Sequence, residues 1–146
     1  FTFGKILSAM IKKIFFATLV STLFIQCKQK EIDKPETALD AGRAFIRASL
    51  DGNFKDAETL LLKDSQNVQM FSSYKTFYDR LPGDKKNHYK KASYTINKYQ
   101  DVNDSTTIIN YSNDYMKKPM EIKVVRIQQE WKVDFKYITS ENSPLN

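Results

Sequence analysis

Trp131-Lys132-Val133-Asp134-Phe135-Lys136-Tyr137 alternates apolar and polar side chains at every step. A two-residue period of this kind lays one side of a strand on a core and the other in water. Three earlier segments repeat it in outline. Tyr94 and Ile96 alternate with Ser93, Thr95 and Asn97, and Thr107, Ile109 and Tyr111 with Thr106, Ile108 and Asn110. Ile122 and Val124 alternate with Glu121 and Lys123. Turn-rich spacers separate these runs: Asp101-Val102-Asn103-Asp104, Asn113-Asp114 with Lys117-Lys118-Pro119, and Gln128-Gln129-Glu130. Strands with one apolar face and short connections make an antiparallel meander whose apolar face must be covered. On this pattern Trp131 lies beneath the cover and Asp134 points outward.

Only the upstream segments can supply that cover. Pro35 and Glu36 suit the first turn of a helix. Ala38, Leu39, Ala41, Phe45, Ile46, Ser49 and Leu50 then follow a 3.6-residue period up to Gly52, a natural stop. Asn53 suits the cap of a second helix carrying Ala57, Leu60 and Leu61. A third pattern runs through Val68, Phe71, Tyr74, Tyr78 and Leu81, and Pro82-Gly83 ends it. Lys85-Lys86-Asn87-His88-Tyr89-Lys90-Lys91 reads as a basic connector. Residues 36–82 are therefore expected to be helical and 91–138 stranded. The fold class is α+β, with N-terminal helices packed on one side of a curved antiparallel four-stranded sheet.

The chain has 146 residues, 41% hydrophobic and 27% charged, which suits one globular domain. Its net charge of +6 is uneven. Lys5, Lys12 and Lys13 have no acidic counterpart before residue 28, so residues 28–146 carry only +3. That is an ordinary solubility charge rather than a nucleic-acid footprint, and no nucleic-acid partner is expected. Cys27 is the one cysteine, which excludes an internal disulfide, a Cys-based zinc site and a CxxC redox pair.

Met10-Ile11-Lys12-Lys13 is a basic head on the apolar run from Ile14 to Ile25. Twelve residues at 1.5 Å rise make about 18 Å, short of a ~30 Å hydrocarbon core. The build is that of a secretory signal with Met10 as initiator and the preceding residues an upstream extension. The run stops at Gln26-Cys27, and this resembles the signal peptide of a bacterial lipoprotein, in which the cysteine thiol takes a diacylglycerol and becomes the mature N-terminus. Phe24-Ile25-Gln26 stands where the usual box has a small residue before the cysteine. The resemblance implies lipidation at Cys27, a bilayer partner through that acylated residue, and an address in the cell envelope on the periplasmic or surface side of the outer membrane. Residues 1–27 are then signal and extension, 28–35 a polar tether, 36–139 the domain and 140–146 a tail.

Phe45-Ile46-Arg47-Ala48-Ser49-Leu50-Asp51-Gly52-Asn53-Phe54-Lys55-Asp56-Ala57 resembles the helix–glycine–helix opening of nuclear-transport-factor-2-like domains. Glu130-Trp131-Lys132-Val133-Asp134 is similar to the last strand of that superfamily, and the likeness is nearest to its bacterial lipoprotein branch. The resemblance implies a cone-shaped, cystatin-like domain in which helices wrap a bent sheet and leave a cavity at the open end. Members use that cavity for small-molecule binding or for isomerase and dehydratase chemistry, or dimerise across the sheet.

His88 is the only histidine, and it sits in the basic connector, so a Ser–His–Asp or Cys–His arrangement has nothing to build on. No carboxylate cluster has metal-ligand spacing, and no metal or cofactor is expected. Acid–base chemistry needs a buried carboxylate base, which the pattern does not supply. The expectation is a domain that binds rather than catalyses. Tyr74, Tyr78, Tyr94, Tyr111, Trp131 and Phe135 are expected to line a pocket for a small apolar or amphipathic molecule. The same six side chains also suit a closed core, which leaves a structural or interaction protein that docks a partner or forms a homodimer through its sheet.

Overall fold

The computed structural model describes residues 34–138. Helices α1 (Ala38–Asp51), α2 (Phe54–Leu60), α3 (Ser65–Arg80) and α4 (Gly83–Lys91) precede strands β1 (Tyr94–Asn103), β2 (Thr106–Asn113), β3 (Pro119–Ile127) and β4 (Glu130–Asp134). The strands pair antiparallel in the order β1-β2-β3-β4, and a 3₁₀ turn over Phe135–Tyr137 closes the described chain. This is the α+β arrangement read from the sequence, helices first and a meander after.

Local chemistry sets the helix ends. Thr37 caps α1 by accepting from the Asp40 N–H, so Pro35 and Glu36 lie just before the helix rather than in its first turn. Gly52 ends α1 at φ +69°, with its N–H on the Ala48 and Ser49 carbonyls. Asn53 caps α2, and Asp64 caps α3 by accepting from the Asn67 N–H. The connector after Pro82 is itself a helix, held by one buried residue, Tyr89. The inward face of α3 is Asn67, Phe71, Tyr74 and Tyr78. Val68, expected inside, is 50% exposed because the polar Asn67 takes its place.

α1 lies on the inner face of the sheet. Ala41, Phe45 and Ile46 bury against Ile109, Ile122, Val124 and Val133, the four of which are fully enclosed. Gly42 lets the backbone approach closely: a Cβ there would collide with the Ile109 Cδ1. The free edge of β4 is covered, since Leu61 bridges Val133 in parallel and the Leu62 N–H donates to the Val133 carbonyl at 2.9 Å. β1 extends through the expected spacer to Asn103, with irregular register at Asn97 and Val102. Gln128 and Gln129 form the β3–β4 turn at φ +49° and +64°, the paired left-handed geometry of a tight hairpin.

Gly52 carries the tightest constraint on the helical layer, because an added Cβ would stand 2.7–2.9 Å from the ring and hydroxyl of the buried Tyr78. Gly52→Ala combines that overlap with a left-handed backbone and should lower unfolding free energy by about 2–4 kcal/mol in urea denaturation. A loss below about 1 kcal/mol would mean that the ring moves aside freely.

Candidate functional site

The six aromatic residues expected to share a pocket are divided between four places. Tyr74, Tyr111 and Phe135 meet around an interior void of about 20 Å³, bordered also by Ser49 and Asn113. A void of that size accommodates one water molecule and no organic ligand. Phe71 and Phe135 fill the rest of this space edge to face at 5.3 Å, with Phe45 at 5.8 and 6.0 Å from them. Tyr78 stands against Phe54 at 5.1 Å and over Gly52, away from the void. Tyr94, half-buried, packs on the core margin at the start of β1.

Trp131 is neither in this void nor beneath the helices. It is half-buried at the other end of the sheet, where its indole N–H donates to the Glu36 carbonyl at 3.1 Å. The reason is length. Nine residues of β3 span about 30 Å and fourteen residues of α1 about 21 Å, so the sheet outruns its cover. The overhang makes an open cleft of about 640 Å³ between the first turn of α1 and the hairpin tips.

Register shows which side chains face it. Tyr99 pairs with the buried Ile109 and Asp101 with Thr107, so both point to the inner face beyond the helix. Arg126 pairs with Trp131 and lies over the indole at 5.6 Å, while its Nη2 donates to the Gln129 Oε1 at 2.8 Å. Thr107 Oγ1 donates to the Asp101 carboxylate at 2.5 Å. Tyr99 remains 54% exposed. The cleft thus offers two aromatic side chains, Tyr99 and Trp131, beside Asp101, Asp104, Glu36 and a single arginine. Tyr99 escaped the sequence reading because the extra residue at Asn97 shifts the alternation of β1 by one; the Asn97-Lys98 dipeptide carries no signal of it.

Burial pushes the Tyr74 and Tyr111 hydroxyls well above the usual phenol range, and desolvation also raises Tyr78 and Tyr89. These phenols stay protonated at neutral pH; the Tyr111 hydroxyl donates to the Met120 Sδ at 3.8 Å, and the buried Tyr78 hydroxyl has no hydrogen-bond partner. Asp134, expected to point outward, is 3% exposed. It does face the outer side of the sheet, but α3 and the chain after β4 close over it. Lys123 holds its Oδ2 at 2.6 Å, and Asn67 Nδ2 and Lys136 hold its Oδ1 at 3.2 and 3.6 Å. Both oxygens are engaged, and Asp134 borders neither the void nor the cleft. The one buried carboxylate among the described residues is a structural tie rather than a base.

Asn67 completes that tie. Its amide donates to Asp64 at 2.9 Å as well as to Asp134, and its carbonyl accepts from the Lys136 N–H at 2.8 Å. Lys136 also pairs with Asp64 at 2.6 Å. His88, exposed in α4, stacks on Tyr115 at 5.1 Å, far from any carboxylate trio; among the described residues no group of His, Cys, Asp and Glu could hold a metal ion. Cys27 lies outside the described residues. No helix among those described is long and apolar enough to cross a membrane. No family model, curated protein or solved structure matches this chain.

The hydrogen bond from Lys136 holds the Asp64 carboxyl at about 2, below its ordinary 3.8, and Lys132 with Lys34 holds Glu130 at about 2 instead of 4.5. Depressed carboxyls contribute stability that is complete above their unfolded values and lost as pH falls toward their folded ones. Unfolding free energy should therefore be flat from pH 7 to 5 and decline between about 4.5 and 2. Asp64→Asn should flatten part of that decline in acid titrations of the melting temperature; an unchanged slope would show that the pair is broken in solution.

Proposed function

We propose that this chain is a lipid-anchored protein of the bacterial cell envelope, of nuclear-transport-factor-2-like fold, whose domain binds a small neutral amphipathic molecule without transforming it. What carries the reading is the contrast between the two spaces. The interior void takes one water, whereas the cleft of about 640 Å³ sets the exposed Tyr99 and half-buried Trp131 beside hydroxyl and carboxylate acceptors. Aromatic faces contact the apolar part of such a guest, and Asp101, Thr107 and Arg126 orient its polar part.

The order of helices before a four-stranded meander, with one face covered and one end open, supports the cone expected of this superfamily. The basic head, short apolar run and terminal Cys27 support the anchor. Docking of a partner through the outer face of the sheet is less well supported. Asn97, Asn110, Glu121 and Ser112 bond to one another there and leave few polar groups seeking a partner.

Trp131 is the only tryptophan, so its fluorescence reads the cleft directly. With the full chain in lipid nanodiscs, hexyl glucoside below its micellar concentration should produce a saturable change in Trp131 emission. Tyr99→Ala should weaken it about tenfold or more, and Tyr74→Phe should leave it unchanged. Equal titrations for wild type and Tyr99→Ala would overturn the cleft as the site. Cys27→Ser should remove the acyl mass and the membrane partitioning; unchanged mass and partitioning would overturn the anchor.

A further inference from the structure

Beyond the cleft, the geometry points to a second surface: the end of the domain formed by α4 and the β2–β3 turn docks on anionic phospholipid headgroups. The stacking of His88 on Tyr115 at 5.1 Å, and of Tyr89 edge-on to Tyr115 at 4.9 Å, fastens the β2–β3 turn to α4. That contact merges two basic segments. Residues 83–91 and 114–118 together hold six lysines against Asp84 and Asp114. Lys85, Lys90, Lys91, Lys117 and Lys118 are exposed, and each ion pair found among the described residues lies elsewhere. Lys86 alone turns inward, donating to the Asp79 carbonyl and lying over the Tyr78 ring at 5.9 Å.

The support beneath this surface is rigid. Arg47 of α1 donates to the Lys90 and Ala92 carbonyls at 3.2 and 2.8 Å, which ties the end of α4 to the core. Lys117 is held at φ +56° by its N–H on the Asn113 carbonyl, with the Met116 N–H on the Asn113 side chain. A fixed array of ammonium groups loses little freedom on meeting a charged plane. Aromatic side chains are not interleaved for base stacking: Tyr89 is buried and Tyr115 is covered by His88, so the surface suits headgroup phosphates better than a nucleic acid.

The inference rests on the reading of Cys27 as an acyl anchor, which would bring the domain to a bilayer surface. The basic surface lies at the C-terminal end of α1 and the acidic cleft at its N-terminal end, about 21 Å apart by helix rise.

The test is a lysine acetylation footprint of the full acylated chain on vesicles of pure phosphatidylcholine and of phosphatidylcholine with phosphatidylglycerol. Lys85, Lys90, Lys91, Lys117 and Lys118 should react about fivefold or more slowly on the anionic vesicles, with Lys63, exposed elsewhere, unchanged. Half-molar salt should remove the difference. The combined variant Lys85→Glu, Lys90→Glu, Lys91→Glu and Lys118→Glu should lose the slowing of Lys117 while keeping the wild-type circular dichroism. Firm retention on both vesicles with equal footprints overturns the docking and leaves the anchor standing. Release from both vesicles overturns the anchor and the docking with it. Slowing by a soluble polyanion but not by anionic vesicles assigns the surface to another class of partner and overturns the membrane reading.

Discussion

The mismatch in length between α1 and the sheet it covers governs this molecule. A helix advances less than half as far per residue as a strand, so a fourteen-residue helix cannot cover the nine residues of β3 end to end. Where α1 lies, the sheet is sealed, and the close approach allowed by Gly42 against Ile109 leaves no room for a ligand. Where α1 stops, the inner face is open and its residues change character, from isoleucine and valine to Tyr99, Asp101, Arg126 and Trp131. Core and cleft are two stretches of one surface, distinguished by whether a helix happens to lie over them.

The second tie works by polarity rather than shape. α3 reaches the end of β4 through Asn67, whose amide is fully enclosed and fully satisfied by Asp64, Asp134 and the Lys136 backbone. A buried amide with every group bonded specifies one register, because a slip of one helical position would leave Asp134 enclosed without Asn67. The aromatic cluster around Phe71 supplies cohesion but little direction, since rings tolerate many tilts.

The meander, the helical order and the Gly52-Asn53 punctuation were legible in the sequence because each rests on a local period or a backbone preference. What was not legible follows from long-range geometry. Asp134 alternates outward as its neighbours require, yet α3 arrives from 67 residues away to bury it. Asn67 precedes Val68 in the chain with nothing in its own helix to turn it inward, and only the lysines and carboxylates gathered around it explain why the amide faces in. Trp131 belonged to the apolar face as read, but no periodicity states where a covering helix will end. Of the residues assigned to a pocket, Tyr74, Tyr111 and Phe135 do converge, on a space too small for the role.

The irregular register of β1 has a further bearing on how the protein behaves when crowded. β1 is the uncovered edge of the sheet, the usual starting point for strand-to-strand growth between molecules. Its extra residues at Asn97 and Val102 leave only Lys98–Asp101, four residues, in regular pairing geometry between them. Self-templating β growth needs a flat run of about six residues, with few charges. The interrupted run is shorter than that and carries a lysine and an aspartate. Two copies meeting edge to edge therefore lack an unbroken run long enough to zip together along β1.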